Sequence, residues 1–296
     1  EQTVDGSRLL WMPGLTDGHM HTCQQLLRGK ILDALPMIWT RIMLPFESTL
    51  TPEAVSLSAA LCSLEMIRGG TTSFLDAGGI HMDEAAKVYI KSGLRGALTL
   101  STMDDTKVPD SMRADAAVSI SRLNEYYNTW NGSGDGRLSV YYSLRSLISC
   151  SEKLIRGVFE AASERSAMVE AHMNEYPNEI NYHLERYQMR PMEYLDSLGV
   201  LSDHFVSAHS ILLSEHEIEL MAAKGVKAVH CPFSNCGKGV PQTPRLLAAG
   251  IPVAFGSDGA GHGGLDLFRE MRAFRCIMNV AWGITTGNPE IMPART

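Results

Sequence analysis

Residues Pro13-Gly14-Leu15-Thr16-Asp17-Gly18-His19-Met20-His21 form a short apolar run that ends in two histidines one residue apart. Side chains alternate between the faces of an extended strand, so His19 and His21 are predicted to point the same way, with their Cα atoms about 6–7 Å apart. This arrangement suits two imidazoles on one metal ion. A complete metal site requires further ligands at the ends of later strands.

The composition is that of an ordinary globular protein. The 296 residues are 45% hydrophobic and 20% charged, and the net charge is −7 at pH 7. This negative charge and the lack of a Lys/Arg-rich tract argue against a nucleic-acid partner, and no apolar run approaches the length of a membrane span. The six cysteines form no Cys-x-x-Cys pair and the N-terminus has no signal-peptide pattern, which predicts a cytoplasmic protein with reduced thiols.

Strand-like and helix-like stretches alternate along the chain. Eight apolar runs have the length of buried strands: 13–21, 72–76, 95–101, 138–144, 167–172, 204–209, 226–231 and 251–257. Eight strands alternating with helices predict an α/β fold, the (β/α)8 TIM-like barrel. The alternative is an open doubly wound sheet, but no Gly-x-Gly-x-x-Gly turn follows a strand to support a dinucleotide site.

Helix boundaries are marked by capping patterns. Thr51-Pro52-Glu53 combines a cap, a first-turn proline and a first-turn acid, and the leucines at 57, 61 and 64 follow with helical spacing. Two capping boxes are predicted, Ser149-x-x-Glu152 and Ser214-x-x-Glu217. The residues just before each box are therefore expected in loops beyond strand ends.

Polar side chains close four of the later runs. The fifth run ends in His172-Met173-Asn174-Glu175, and His209, His230 and Asp258 stand at or beside the ends of the sixth, seventh and eighth. Catalytic groups of a (β/α)8 barrel lie at these C-terminal strand ends. We therefore predict one divalent metal ion, zinc with iron or manganese as the alternatives, bound by His19, His21, His172 and Asp258.

The remaining polar groups at the strand ends are suited to proton transfer. Water bound to such an ion has its pKa lowered to about 7, which gives a hydroxide nucleophile at neutral pH. Glu175 is predicted to carry a proton to the substrate, and Asp258 to contact both metal and water. His209 is predicted to hydrogen-bond the attacking oxygen or to polarise the leaving side.

Five motifs together resemble the amidohydrolase superfamily, in the deaminase and chlorohydrolase branch that uses one metal ion. They are PGLTDGHMHTCQQLLRG, HMNE, SAHSILLSEHEI, HCPFSN and GSDGAG, in the family's order. The resemblance covers nearly the whole chain and implies the same metal ligands, with Glu175 and His209 as the acid/base pair. It also implies similarity to guanine, pterin and adenosine-type nucleoside deaminases.

The resemblance narrows the reaction class. Relatives with two metal ions carry a lysine at the end of strand four, where this chain has Tyr141-Tyr142-Ser143-Leu144-Arg145-Ser146, so one metal is expected. Dechlorinating relatives often replace the glutamate or aspartate of the site. Both Glu175 and Asp258 are present here, which favours an amine leaving group.

Three residues are assigned to substrate binding. Gln24, in the pattern His-x-His-x-x-Gln, resembles a ring-contacting glutamine of oxo-purine and pterin deaminases, and its alternative role is to cap backbone groups. Arg145 stands about where many nucleoside-binding relatives have histidine; facing the pocket it favours a carbonyl-rich or anionic substrate, and otherwise it belongs to a surface salt bridge. His230 is expected to support the site indirectly, through contacts with the residues that bind the metal or the substrate.

We interpret the chain as a hydrolytic deaminase of an amino-substituted heterocycle (oxo-purine, pterin or related base or nucleoside), in which a metal-bound hydroxide attacks and ammonia leaves. The alternatives are a triazine-type chlorohydrolase or cyclic amide hydrolase with the same metal site, and an inactive barrel that serves as a binding protein. Residues 1–296 are expected to form a single barrel domain, in which the accessory β-sandwich of related proteins is missing or truncated. Analogy with those proteins implies a homodimer.

Overall fold

Parallel strands and helices alternate along the chain, in a computed structural model that describes residues 3, 5–31, 37–288 and 290–292. The strands are β1 Leu15–His21, β2 Thr71–Asp76, β3 Arg95–Leu98, β4 Leu138–Val140, β5 Tyr142–Ser146, β6 Val169–Met173, β7 Phe205–His209, β8 Lys227–His230, β9 Val253–Phe255 and β10 Asp258–Gly259. The N- and C-terminal ends of the predicted domain 1–296 include residues outside the described ranges, so its boundaries stay a prediction.

Helices fill the connections between these strands. The α-helical segments are Leu44–Glu47, Pro52–Arg68, Met82–Ser92, Ala116–Trp130, Ser133–Gly136, Glu152–Ser163, Pro177–Tyr187, Pro191–Ser197, Glu215–Lys224, Pro232–Asn235, Thr243–Ala248, Leu267–Met278 and Ile284–Thr286. Shorter 3₁₀ and π turns are Thr22–Leu27, Trp39–Met43, Asp110–Met112, Leu147–Ser149 and Asn279–Gly283. No single described helix has the length and apolarity of a membrane span; one pair, Trp39–Glu47 with Pro52–Arg68, has them only when joined across a 111° bend.

The strands close into the predicted (β/α)8 barrel. They form two parallel sheets, in the orders β10-β1-β2-β3-β4 and β5-β6-β7-β8-β9. The fourth predicted run contributes β4 to one sheet and β5 to the other, and the eighth contains β9 and is followed directly by β10, which joins the first sheet. Two split strands therefore join the sheets at both seams, which explains why eight predicted runs give ten strands.

Backbone contacts show how each seam is made. At the first, the Tyr141 N–H donates to the carbonyl of Leu98 on β3, whereas the Tyr142 N–H donates to Met168, just before β6. At the second, an added Cβ on Gly256 would lie 2.6 Å from the carbonyl oxygen of His19. Only glycine permits this close approach of the eighth strand to β1.

The barrel interior contains an apolar layer, and polar side chains lie between this layer and the C-terminal ends of the strands. Leu75, Ala97, Val206 and Val229, from four different strands, form a buried cluster. Two larger clusters lie between the strands and the surrounding helices. Polar side chains are therefore grouped at the C-terminal strand ends, where they meet over an apolar layer.

One detail of the helix prediction is wrong, and one feature of a confirmed helix was not predicted. Ser149 does not cap the helix Glu152–Ser163; the cap is Ser151, whose side chain accepts from the Leu154 N–H at 3.2 Å. In the helix Pro52–Arg68, the leucines at 57, 61 and 64 are 54%, 37% and 55% exposed. The buried side of that helix consists mainly of small residues, Val55, Ser58, Ala59, Cys62, Ser63 and Met66.

The other capping predictions are confirmed. The Thr51 side chain accepts from the Ala54 N–H at 3.2 Å, and proline occupies the first turn. Ser214 and Glu217 form a reciprocal capping box at the start of the helix Glu215–Lys224. These caps fix the start of each helix directly after a strand-end loop.

Candidate metal centre and active site

Four histidine side chains meet at the C-terminal end of the barrel. His19 and His21 lie at the end of β1, His172 lies on β6 and His209 ends β7. The ring centroid of His19 is 4.9 Å from that of His21, 4.7 Å from that of His172 and 5.1 Å from that of His209. Nε2 of His21 lies 3.0 Å from Nε2 of His172. Three separate strands thus bring imidazole nitrogens to a common point.

Asp258 adds a carboxylate to this cluster. Its Oδ1 atom lies 3.4 Å from Nε2 of His21 and 3.8 Å from Nε2 of His19. Asp258 has a φ of +59° and His209 a φ of +69°. Left-handed backbone of this kind costs of order 1–3 kcal/mol for a non-glycine residue and persists only where the surrounding structure fixes it.

The donor set fits a divalent cation. Nε2 of His19 is buried without a hydrogen-bond partner, an unfavourable state for a polar nitrogen that a bound cation relieves. Ligand atoms of His19, His21 and His172 lie within 4.8 Å of one another, as do those of His19, His209 and Asp258. Imidazoles with one carboxylate are typical ligands of zinc and other first-row ions.

The protonation states also suit metal binding. Burial lowers the pKa of His21 and of His172 well below the ordinary value, which keeps these imidazoles in the neutral form that binds a metal. Burial alone raises the pKa of Asp258, but His209 and Lys238 outweigh it and hold that pKa well below its usual range.

Glu175 and His209 face each other beside the histidine cluster. Oε1 of Glu175 lies 3.6 Å from Nε2 of His209. Burial by itself raises the pKa of Glu175. The nearby His209 and Lys238 lower this pKa by more than burial raises it, so the pKa lies below the ordinary value. Glu175 is therefore a carboxylate at neutral pH, the form that accepts a proton.

Asn235 fixes the tautomer of His209. Its side-chain amide lies 3.1 Å from Nδ1 of His209, and the orientation that satisfies both the N–H and the carbonyl of Cys231 places the amide nitrogen toward that ring atom. The amide then donates to Nδ1, so a neutral His209 carries its proton on Nε2, toward Glu175. The HCPFSN motif supplies this asparagine.

Two of the three predicted substrate-binding residues line a cavity at the centre. The cavity of about 20 Å³ is bounded by His21, Gln24, Trp39, Met43, Arg145, Ser146, Ile148, His172, Glu175, Tyr176, Glu179, Lys238 and Asp258. This volume holds about one water molecule. Larger grooves of about 540 and 610 Å³ lie elsewhere and include none of the predicted site residues.

Glu47 engages both Gln24 and Arg145. Nη1 and Nη2 of Arg145 donate to the two Glu47 oxygens at 2.9 Å each, and Nε2 of Gln24 donates to Oε1 of Glu47 at 2.8 Å. The ion pair is buried, with Arg145 2% and Glu47 0% exposed. His230 lies apart from the cavity lining, and its Nδ1 pairs with the Thr243 hydroxyl at 2.9 Å. The substrate-binding roles of all three residues stay predictions.

Residues 10–289 match the Amidohydrolase family. The chain belongs to the amidohydrolase family. It is 31% identical over 297 residues to the 5-methylthioadenosine/S-adenosylhomocysteine deaminase of Pelotomaculum thermopropionicum, with 99% of this chain and 66% of that protein covered. It is 32% identical to the 5′-deoxyadenosine deaminase of Methanobrevibacter smithii, with 95% of this chain and 64% of that protein covered.

A solved amidohydrolase-type barrel is similar as well. The structure of an adenosine deaminase from Xanthomonas campestris with bound zinc superposes with a TM-score of 0.83 at 30% identity. The alignment covers 91% of this chain and 61% of that one. The present amidohydrolase chain therefore spans about two thirds of the length of the relatives it matches.

Four acidic, amide or basic residues of this amidohydrolase site were not found from the sequence: Glu47, Glu170, Asn235 and Lys238. Glu170 precedes His172 by two residues, and Oε1 of Glu170 lies 3.0 Å from Nδ1 of His19. The same-face spacing of Glu170 and His172 on the strand is the signal that could have identified Glu170. Glu47 and Lys238 lie in stretches without a recognisable pattern, and only the folded chain brings them to the site.

Replacing Glu170 is expected to weaken metal binding. Oε1 of Glu170 is placed to orient the His19 ring, and loss of such a partner typically costs about 10–100-fold in metal affinity. We expect E170Q to lower zinc affinity within this range in a competition titration against a chromogenic chelator. E164Q, which changes an exposed glutamate, is the matched control. Equal affinities for E170Q and wild type would show that Glu170 does not support the metal site.

Proposed function

We propose that this chain carries the catalytic barrel of a metal-dependent hydrolytic deaminase, which replaces an amino group on a nitrogen heterocycle with oxygen and releases ammonia. One observation carries the proposal: the imidazoles of His19, His21 and His172, the Asp258 carboxylate and the Glu175–His209 pair converge at one end of the barrel. Adenine-type nucleosides are the first substrate class to test, because the named activities of the relatives at 31% and 32% identity act on them.

His19, His21, His172 and Asp258 are proposed to hold one divalent ion, with zinc as the first choice. Such an ion supplies Lewis acidity, which lowers the pKa of a water molecule and favours its attack on carbon. The two clusters of ligand atoms within 4.8 Å support this assignment.

The protein side chains are proposed to carry the protons. Glu175, ionised at the start, accepts a proton from the attacking water and delivers it to the ring nitrogen next to the reacting carbon. His209, with its proton on Nε2, donates a hydrogen bond to the oxygen that adds. Asp258 accepts the second water proton and passes it to the departing amine, so that one water is consumed and one ammonia is released.

Ammonia release across a substrate panel tests this function. The panel contains adenosine, 5′-deoxyadenosine, 5′-methylthioadenosine, guanine, a pterin and a triazine that carries both chloro and alkylamino groups, each offered to zinc-loaded protein. We expect release from at least one adenine nucleoside. Chloride or alkylamine release from a triazine would instead identify the hydrolase alternative, and a zinc-loaded protein inert on every compound would reject the deaminase.

Charge pairing in the cavity predicts a preference for uncharged substrates. The cations among the described lining residues are Arg145 and Lys238, which pair with Glu47 and Glu175. Apart from the proposed metal ion, a phosphate would meet no unpaired cation among these side chains and would lie near acidic groups, a juxtaposition that costs several kcal/mol. We expect kcat/KM for adenosine to exceed that for its 5′-monophosphate by on the order of 100-fold. Comparable values for the two substrates would contradict this assignment.

A further inference from the structure

Lys238 is a buried cation that the proposed proton transfers do not use. Its side chain is 2% exposed, and an ammonium group is rarely buried so completely unless its partners hold it there. The residue follows the short helix Pro232–Asn235, where the N–H groups of Lys238 and Gly239 both donate to the Asn235 carbonyl, at 2.8 and 3.0 Å. This turn directs the chain back over the barrel end.

The Lys238 ammonium lies between the two carboxylates assigned to proton transfer. Its Nζ atom is 2.5 Å from Oε1 of Glu175 and 3.8 Å from Oδ2 of Asp258. It donates to the Ser234 hydroxyl at 2.9 Å, and that hydroxyl donates to Oδ2 of Asp258 at 2.5 Å. It also lies 5.3 Å from the ring centroid of Tyr176.

One short segment therefore contacts each of the three proposed proton-transfer residues. Within residues 232–239, Ser234 bonds Asp258, Asn235 meets His209 and Lys238 pairs with Glu175. Each contact comes from a different side chain, and each meets a residue from a different strand end. An arrangement of this kind sets the relative positions of the three groups.

We propose that Lys238 is a positioning residue of the active site, which holds the Glu175 carboxylate in register with Asp258 and with the reacting ring. The assignment rests on the proposed deaminase function. Glu175 lies in the loop after β6, and among the described residues its side chain is otherwise approached by His209 at 3.6 Å. Without the lysine contact, the carboxylate is free to rotate away, and misplacement of a catalytic group by about 1 Å can cost about 100-fold in rate.

A double-mutant cycle with Glu175 tests the role. The variants are K238M, K238R, E175Q and E175Q/K238M, with K224M as the control because Lys224 is a half-exposed lysine that pairs with Asp196 on the outer helices. We expect K238M to lower kcat by about 100-fold with a much smaller change in KM, and K238R to recover part of the loss. In the E175Q background, K238M is expected to change kcat by no more than about twofold, because the lysine acts through the glutamate.

Equal losses in both backgrounds, or a K238M variant with wild-type kcat, would overturn the proposal. If K238M does not fold, a comparison of kcat between E175Q and E175Q/K238M still tests the proposal. Neither of these variants leaves a buried carboxylate unpaired at position 175. A double variant more than tenfold slower than E175Q contradicts the positioning role.

Urea unfolding of the same zinc-loaded variants separates this inference from the deaminase proposal. We expect K238M to lower the unfolding midpoint in the wild-type background and to raise it in the E175Q background, where the buried lysine has lost its nearest carboxylate. This reversal is measurable even if the protein releases no ammonia from any substrate. A K238M shift of the same sign and size in both backgrounds would show that Lys238 and Glu175 are not coupled.

Discussion

Replacing Glu175 by glutamine is expected to lower kcat by about 10²–10⁴-fold, the range that general acid–base groups supply. Glutamine keeps the shape of the side chain and one acceptor oxygen but cannot take up the proton of the attacking water. The lowered pKa of Glu175 keeps the wild-type group ionised at neutral pH, so activity is expected to fall as the medium is acidified and this carboxylate is protonated.

Metal content provides the internal check on E175Q. Glu175 is not among the clustered ligand atoms, so the variant is expected to retain about one metal per chain by elemental analysis. E185Q changes an exposed glutamate on the helix Pro177–Tyr187 and is the matched control. An E175Q variant that retains metal and works within tenfold of wild type would remove Glu175 from the mechanism.

Metal removal is expected to abolish activity and to destabilise the barrel. Ligand atoms of the three imidazoles lie within 4.8 Å of one another, and Oδ1 of Asp258 lies 3.4 Å from Nε2 of His21. Without a cation, several buried nitrogens of these side chains keep no hydrogen-bond partner. A ligand present at 1,000 times its Kd stabilises the folded state by about 4 kcal/mol, so chelation is expected to lower Tm by several degrees. Adding zinc back to one equivalent is expected to restore both properties.

A single histidine substitution gives the same result without a chelator. H172N is expected to reduce bound zinc and ammonia release together, because it removes one of the imidazoles that face the centre. H204N changes an exposed histidine at the opposite end of the neighbouring strand and should retain both. Full activity in chelator-treated protein, with metal content below about a tenth of an equivalent, would rule out the metal-dependent mechanism.

The sequence contained most of the fold because the barrel repeats a simple pattern. Most strand residues are buried, and β6 and β7 are buried throughout, so that short apolar stretches such as 204–209 were recognisable as strands. The split of the fourth and eighth runs was not predictable, since it depends on which neighbour each half-strand meets. The helix Pro52–Arg68 was predictable but its buried side was not, because its inner face uses small residues for close packing and the leucines lie outside.

The proposed metal ligands were recognisable because each stands where a strand ends. Lys238 and Glu47 carry no such mark, and their partners Glu175 and Arg145 are 63 and 98 residues away in the chain. Burial decides their importance: a charge at the surface is solvated by water, whereas the same charge in this cavity requires a counter-ion. A sequence pattern does not reveal which charged residue will be buried and paired unless its partner is close to it in the chain.

The small size of the cavity has a kinetic consequence. A space of about 20 Å³ admits a water molecule but not a purine ring, so binding of the proposed substrate requires the apolar lining, which includes Trp39 and Met43, to move. Association is then governed by how often this lining opens rather than by diffusion alone. The protein would then discriminate between competing ligands by how long each stays at the entrance of the cavity, as well as by how well each fits inside it.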